Sequence, residues 1–286
     1  MSFSHLTTHT SPLTFMLKIL FFGDITGEPG RQVIRKVLPD LLKSEKPDLV
    51  LANVENLAHG KGVTVKTLEE LMRAGIQGFT GGNHIFSKRE FSDEALNKYA
   101  NCLVRPANIP PTHAGSTAIK LDTPKGKVLI GNFMGQVFME KQFHDPISSV
   151  FANIEDWLTA NKTSDVVATL IDFHAEATSE KVALGYFIDG KVSGVVCTHT
   201  HIPTADAKVL PGGTAYITDV GMCGAAGSVL GVKKELSIER FTSGNRVAFD
   251  IPEDASKAEV SYVIISIDEA TGKSTNIQAV HQIVNL

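Results

Sequence analysis

Several kinds of residue and pattern are scarce in this chain, and each scarcity excludes something. Its 286 residues include only 3 cysteines. They are Cys102, Cys197 and Cys223, far apart and without a C-x-x-C pair, so neither a disulfide framework nor a thiolate zinc site is expected. The expected location is a reducing cytoplasm. Long apolar runs are missing as well. Spanning a bilayer takes roughly 18 consecutive apolar residues, whereas the longest run here, Leu17 to Phe22, is interrupted by Lys18 and suits a buried strand. No membrane partner is expected. Residues 1–15 are rich in Ser, Thr and His, lack the charged start and apolar middle of a signal peptide, and read as a flexible extension. An excess of one charge is lacking too: 27 Lys+Arg against 31 Asp+Glu leave a formal net charge of -4, which offers no general attraction to duplex nucleic acid or anionic lipid. A phosphate-bearing ligand would have to be held by a local site.

What is present is alternation. The balance of 43% hydrophobic and 20% charged residues is ordinary for a globular protein, and residues 16–286 suffice for one large domain. From Leu17 to Val104, strand-like runs alternate with helical ones, the pattern of βαβ units around a largely parallel sheet. Strands are expected over Leu17 to Gly23, Asp48 to Val54 and Gln77 to Thr80. Helices are expected from Glu28 to Ser44, from Thr64 to Ala74, and from Ser87 to Tyr99 with Ser87 and Glu90 forming a capping box. The second half continues with strands near Lys127 to Phe133, Val166 to Phe173 and Val192 to Cys197, and a helix from about Pro146 to Ala160. Short runs at Thr214 to Thr218, Arg246 to Ile251 and Glu259 to Ile267 suggest antiparallel strands completing a second sheet.

The informative residues sit at the carboxyl ends of the expected strands, where open α/β sheets place a ligand crevice. Asp24 follows Lys18 to Gly23; Glu55-Asn56 follows Leu49 to Val54; Asn83-His84 follows Gly78 to Gly82; His174 follows Val167 to Phe173; and His199-Thr200-His201 follows Val195 to Thr198. Carboxylate, amide and imidazole donors form a borderline-to-hard ligand set. There are more of them than one tetrahedral ion needs, whereas two ions about 3.5–4 Å apart, bridged by a carboxylate and a hydroxide, would use them all. In an extended segment His199 and His201 would point the same way and could each reach a different ion. Each piece alone has an ordinary alternative: Asp24 could cap a helix, Gly81-Gly82-Asn83-His84 could be a plain turn, and a lone His174 could be structural. Glu55 is harder to dismiss, because a carboxylate after a mostly apolar run is costly to bury unless paired or metal-bound.

In order, these blocks resemble those of the calcineurin-like metallophosphoesterase superfamily, in altered form. Gly23-Asp24-Ile25-Thr26 lacks a second-position histidine, Glu55-Asn56 stands where that superfamily has a bridging aspartate, Gly82-Asn83-His84-Ile85 lacks the final acid, and Thr198-His199-Thr200-His201 lacks the glycine. The set of departures resembles the YmdB-type bacterial phosphodiesterase branch. That similarity also covers Glu55 to Gly62, Val104 to Asn108, Asp172 to Lys181 and Thr214 to Met222, nearly the whole chain from Met16.

The resemblance implies a layered α/β sandwich of two mixed β-sheets flanked by helices. It implies that Asp24, Glu55, Asn56 and His201 hold one metal ion while Glu55, Asn83, His174 and His199 hold the other, with Glu55 bridging. Asn56 would replace the histidine absent at Thr26, which favours iron or manganese over zinc, as divalent or mixed-valence ions. The implied reaction is in-line attack by the bridging hydroxide on a small phosphodiester, a 2′,3′- or 3′,5′-cyclic nucleotide, with His84 stabilising charge or protonating the departing oxygen. His59, Lys61, Arg105 and Asn108 are the expected substrate contacts, Glu176 could orient a histidine, and a homo-oligomer is expected. Competing readings are a metal- and nucleotide-binding regulatory protein with slow turnover, and a phosphomonoesterase or phosphoprotein phosphatase. An amidohydrolase barrel is set aside, because it would begin with H-x-H on its first strand.

Overall fold

The computed structural model describes residues 16–88, 91, 93–109, 113–139 and 149–286. The extension expected over residues 1–15 lies outside them. Strand β1, Met16–Phe22, pairs in parallel with β3, Leu49–Asn53, which pairs with β4, Gly78–Thr80, and that in turn with β5, Leu103–Val104. On its other side β1 runs antiparallel to β13, Lys257–Asp268, whose far neighbours are β14, Ser274–Asn285, and β12, Met222–Ala225. Strand β2, Asp24–Ile25, closes the edge beside β12. The second sheet holds β6, Ala118–Thr123, β7, Gly126–Met134, β8, Val166–His174, β9, Gly194–Thr198, β10, Lys208–Val209, and β11, Ala215–Ile217. Both sheets mix parallel and antiparallel pairs.

The period-2 alternation of the strands assigns their two faces. Leu17, Ile19 and Phe21 of β1 join Leu49, Leu51, Val263 and Ile265 against Val128, Ile130, Leu170 and Val196 of the other sheet, so the sheets face one another across a buried apolar layer. Leu20 and Phe22 point the opposite way, onto Val33, Ile34 and Leu38 of helix α1, Gly27–Ser44, and Leu68 and Leu71 of α2, Val65–Ala74. On the outer face of the second sheet, Leu129, Phe133 and Ile171 pack on Ile154 and Trp157 of α4, Val150–Asn161, and on Leu184 of α5, Thr178–Phe187. Each such large apolar side chain removed from water contributes about 1.5–3 kcal/mol, so the four-layer stack is held mainly by these three apolar interfaces. Helix α2 is closed at its start by Thr64 and Thr67, which cap one another reciprocally, and at its end by Gly75 in the left-handed conformation at φ 113°.

Four expectations are corrected. The helix expected from Ser87 begins only at Asp93, as α3, Asp93–Lys98, because the backbone of residues 84–87 folds into tight turns, Ile85 N–H to Gly82 O and Ser87 N–H to His84 O. Glu90, the other half of the expected capping box, lies outside the described residues. Thr214 to Thr218 contributes β11 to the second sheet and pairs antiparallel with β10 as expected, but its other neighbour, β9, is parallel to it, because the short β10 first returns the chain to the amino end of the sheet. Glu259 to Ile267 does form antiparallel pairs, but in the middle of the first sheet. Arg246 to Ile251 forms no strand and follows α6, Lys234–Ser243, as irregular backbone. Strand β14 went unanticipated, because its polar, half-exposed sequence carries little apolar alternation. The helix expected from Pro146 starts at Val150, capped by the Ser149 hydroxyl, which accepts from Phe151 N–H at 3.2 Å; residues 146–148 lie outside the described residues.

Candidate metal centre

The two sheets end side by side, and the polar residues expected at their strand ends meet there. Asp24 leaves β1 as the first residue of β2, Glu55 and Asn56 follow β3, Asn83 and His84 follow β4, His174 ends β8, and His199 and His201 follow β9. Asp24, Glu55 and His174 have at most 1% exposure, and Asn56 and Asn83 are also buried. That is an expensive set to remove from water, since an uncompensated buried ion costs several kcal/mol.

One half of the cluster centres on His174 Nε2, which stands 2.9 Å from His199 Nδ1, 3.1 Å from Asn83 Oδ1 and 3.2 Å from Glu55 Oε1. Donor atoms held about 2.0–2.2 Å from one cation lie about 3–3.5 Å from each other, so these spacings fit a common ion. The other half brings Asn56 Nδ2 to 3.0 Å from both Glu55 Oε1 and His201 Nε2, with Asp24 Oδ1 3.9 Å from His201 Nε2. Glu55 belongs to both halves. Asn56 presents its amide nitrogen in this arrangement, so ligation through its oxygen requires the amide to turn over. Asp24 Oδ1 has no hydrogen-bond partner despite complete burial, and Oδ2 accepts from His199 N–H at 3.2 Å. An orphaned buried carboxylate oxygen facing imidazole nitrogens is what a cation site looks like from its donor atoms.

The electrostatics agree. Burial raises the Asp24 carboxyl to about 6, against the opposing pull of His201 and His174. Burial also works to raise Glu55, but the charge and hydrogen bond of His174 outweigh it and hold this carboxyl below its usual range. His174 is raised to about 9: burial opposes its charge, but Glu55, then Asp24 and Asp172, overcome that. His199, by contrast, is driven down to about 3 by burial and by the neighbouring charge of His174. The carboxylates concentrate negative potential where the donor atoms converge.

Gly82 makes the convergence sterically possible. A Cβ at this position would overlap Glu55 Oε2 and stand 2.7 Å from His174 Nε2. Behind the donors lies a polar layer to which the sequence assigned no role. His174 Nδ1 is 2.8 Å from Thr198 Oγ1, which donates to Asp172 Oδ1 at 2.7 Å; Asp172 Oδ2 accepts from Thr80 Oγ1 and, at 2.9 Å, from Asn53 Nδ2. This layer ties β3 and β4 of one sheet to β8 and β9 of the other, and leaves Nε2 of His174 for the site. The signal was a carboxylate inside Leu170-Ile171-Asp172-Phe173, the same anomaly that singles out Glu55. Glu176, with its Oε2 3.2 Å from His199 Nε2, does engage a histidine.

The H-x-H segment is not extended. His199 and His201 both adopt positive φ, 101° and 66°, so a turn rather than a strand sends the first imidazole to His174 and the second to Asn56. His84 is half-buried beside these groups; its backbone N–H donates to Glu55 Oε2 at 3.0 Å and its ring lies 3.4 Å from Asn83 Nδ2. The side-chain bonds of the expected substrate contacts Arg105, Asn108 and His59 run to groups other than the donor residues, although Asn108 bonds to Met134, which stands in register with His174. Arg105 is buried and donates to the carbonyls of Pro106, Ile109, His113 and Ala114, and Asn108 makes both of its amide bonds to Met134. Both brace the loop between β5 and β6. His59 is exposed, paired with Glu253 on the wall of a separate cleft of about 680 Å³ that also involves Arg31 and Glu70, and Lys61 is exposed on the same loop.

A two-sheet α/β sandwich with acid, amide and imidazole donors gathered at adjoining strand ends defines a metallophosphoesterase, a hydrolase of phosphoric esters that works with divalent metal. The chain belongs to the family described as YmdB-like protein, whose sequence profile matches residues 20–280. It is 40% identical over 267 residues to the 2′,3′-cyclic-nucleotide 2′-phosphodiesterase of Bacillus subtilis (strain 168), covering 92% of this chain and 96% of that protein. Among solved structures, a Mycoplasma pneumoniae protein titled a novel phosphatase superimposes with a TM-score of 0.87 at 34% identity, covering 96% of this chain and 95% of that one. A Thermus thermophilus protein titled hypothetical gives a TM-score of 0.83 at 35% identity, covering 93% and 99%.

Proposed function

We propose that the protein is a dinuclear metal-dependent phosphodiesterase acting on small cyclic nucleotides, with the 2′,3′-cyclic class named for the Bacillus subtilis relative as its first candidate substrate. The observation that carries this reading is the orphaned Asp24 Oδ1 facing His201 and His174, beside a Glu55 carboxylate shared by both halves of the donor cluster. In the proposed assignment Asp24, Glu55, Asn56 and His201 hold one ion, and Glu55, Asn83, His174 and His199 the other. The oxygen-rich first set favours iron or manganese over zinc. Two such ions supply a hydroxide nucleophile near neutral pH and neutralise charge developing on the phosphoryl oxygens. The protein's own part is positional. Thr198 and Asp172 hold the His174 ring with Nε2 forward, Glu176 holds His199, and Gly82 keeps the space between Glu55 and His174 clear. His84, anchored by its backbone to Glu55, is assigned to the departing oxygen, which it stabilises or protonates.

The test is metal analysis of the purified chain, followed by turnover on 2′,3′- and 3′,5′-cyclic nucleotides, bis-p-nitrophenyl phosphate and p-nitrophenyl phosphate. Two ions per chain with hydrolysis of the diesters alone is the expected result. Hydrolysis of the monoester alone would overturn the diesterase reading in favour of a phosphomonoesterase.

A further inference from the structure

The turn carrying His199 and His201 is braced from behind by a buried ion pair that the reaction does not use. Lys181, on α5, has no solvent exposure, and its Nζ lies 2.8 Å from Oδ2 of the equally buried Asp219. A fully buried lysine is rare, because its ammonium gives up hydration that only a well-placed partner replaces. The same Asp219 Oδ2 accepts from Thr200 N–H at 3.1 Å and from Thr200 Oγ1 at 2.7 Å, while Oδ1 accepts from Gly221 N–H at 2.8 Å. Two further backbone bonds lead from there into the metal centre. Gly221 O accepts from Asp24 N–H, and His201 O accepts from Met222 N–H, both at 3.1 Å. A single carboxylate therefore grips the residue between two imidazoles and the turn that seats Asp24.

The backbone shows why a grip is needed at this point. His199 and His201 both occupy the left-handed region, which residues with a Cβ enter reluctantly and keep only where the surroundings over-determine the conformation. Thr200 lies between them and is the residue held by two bonds to Asp219. Released from that hold, the segment would relax toward ordinary φ values and carry the two imidazoles apart from Asn83, His174 and Asn56.

We propose that Lys181 and Asp219 form a positioning pair for the metal centre: Asp219, charge-paired with Lys181, clamps Thr200 and Gly221 so that His199, His201 and Asp24 present their donor atoms to the ions. This inference rests on the dinuclear reading above. Its alternative is a brace that stabilises the fold without setting metal affinity.

Thr200→Val separates the two, because it removes one hydroxyl bond while leaving the Lys181–Asp219 pair and every assigned ligand in place. The full-length chain is stripped of metal, and Mn²⁺ affinity is measured by competition with a chromogenic chelator, alongside the thermal midpoint of the metal-free protein. Loss of such an outer partner weakens metal binding about 10–100-fold. Thr200→Val is expected in that range with little change in the metal-free midpoint, Thr200→Ser is expected to restore wild-type affinity, and Asp219→Asn is expected to weaken binding further. Equal Mn²⁺ affinity in wild type, Thr200→Val and Thr200→Ser would overturn the proposal, as would a drop in the metal-free midpoint with affinity unchanged. If Asp219→Asn fails to fold, the two Thr200 variants still decide. A wild-type chain that binds no Mn²⁺ and no Fe²⁺ would bring down the dinuclear reading itself, a result distinct from bound metal insensitive to Thr200.

Discussion

Replacing Gly82 by alanine adds one methyl group where the structure has no room for it. The new Cβ would stand 2.7 Å from His174 Nε2 and overlap Glu55 Oε2, and contacts under 3.0 Å oblige something to shift. Neither neighbour yields easily. The His174 ring is held through Nδ1 by Thr198, Glu55 Oε2 accepts from His84 N–H, and both side chains are buried. Forcing an extra methyl into a rigid site costs about 1–3 kcal/mol. Here the strain falls on two groups that must converge on one ion, and displacing reacting or ligating groups by about 1 Å costs about 100-fold in rate. At about 1.36 kcal/mol per tenfold, that loss corresponds to about 2.7 kcal/mol, within the overpacking range. Gly82→Ala is therefore expected to lose about 100-fold or more in kcat/KM for bis-p-nitrophenyl phosphate, to retain less metal after dialysis, and to lower the thermal midpoint of the metal-free protein by about a few degrees. Wild-type turnover and metal content in this variant would refute the placement of Glu55 and His174 about a shared ion.

His84→Ala is expected to keep its full metal content yet lose about 100-fold to 10,000-fold in turnover, the range for removing a general acid or base; unchanged turnover would take His84 out of the mechanism. Arg105→Ala removes the side-chain donor from the carbonyls of Ile109, His113 and Ala114, while Pro106 O keeps Ile109 N–H. It is expected to lower stability in urea titration by about 2 kcal/mol or more, with KM and metal content unchanged, whereas a raised KM without loss of stability would restore it as a substrate contact. Burial raises all three thiols, that of Cys223 to about 12. At pH 8 a thiol-exchange chromophore is expected to titrate less than one thiol per native chain and all 3 after denaturation; rapid reaction of the native protein would contradict that burial.

The candidate donor residues were legible in the sequence because each breaks a local rule. Asp24, Glu55, Asn83 and His174 terminate apolar strands where a polar side chain must find a partner or remain in water, and the βαβ alternation brings such strand ends to one edge. The same logic would have found Asp172, a carboxylate inside an apolar run, had it been applied within strands as well as at their ends. The bonds of Arg105 and Asn108 could not be read in advance, because a sequence shows that a side chain can donate hydrogen bonds but not that nearby carbonyls and Met134 engage it. Strand β14 stayed hidden because most of its residues are polar or exposed, with only Ile277 on one face and Val280 and Val284 on the other packed on apolar clusters, and its register is set by β13 across a turn.

By itself, then, the sequence determined which residue types stand at which strand ends, and hence the chemistry of the donor set, because strand periodicity and the cost of burying charge are local in origin. Only the tertiary structure decided how those donors meet. The division of the donor side chains around one shared glutamate, the left-handed turn that sends His199 and His201 in different directions, and the Lys181–Asp219 pair behind it depend on contacts between residues far apart in the chain. Such contacts follow from packing one sheet against the other, and no single segment encodes that distance.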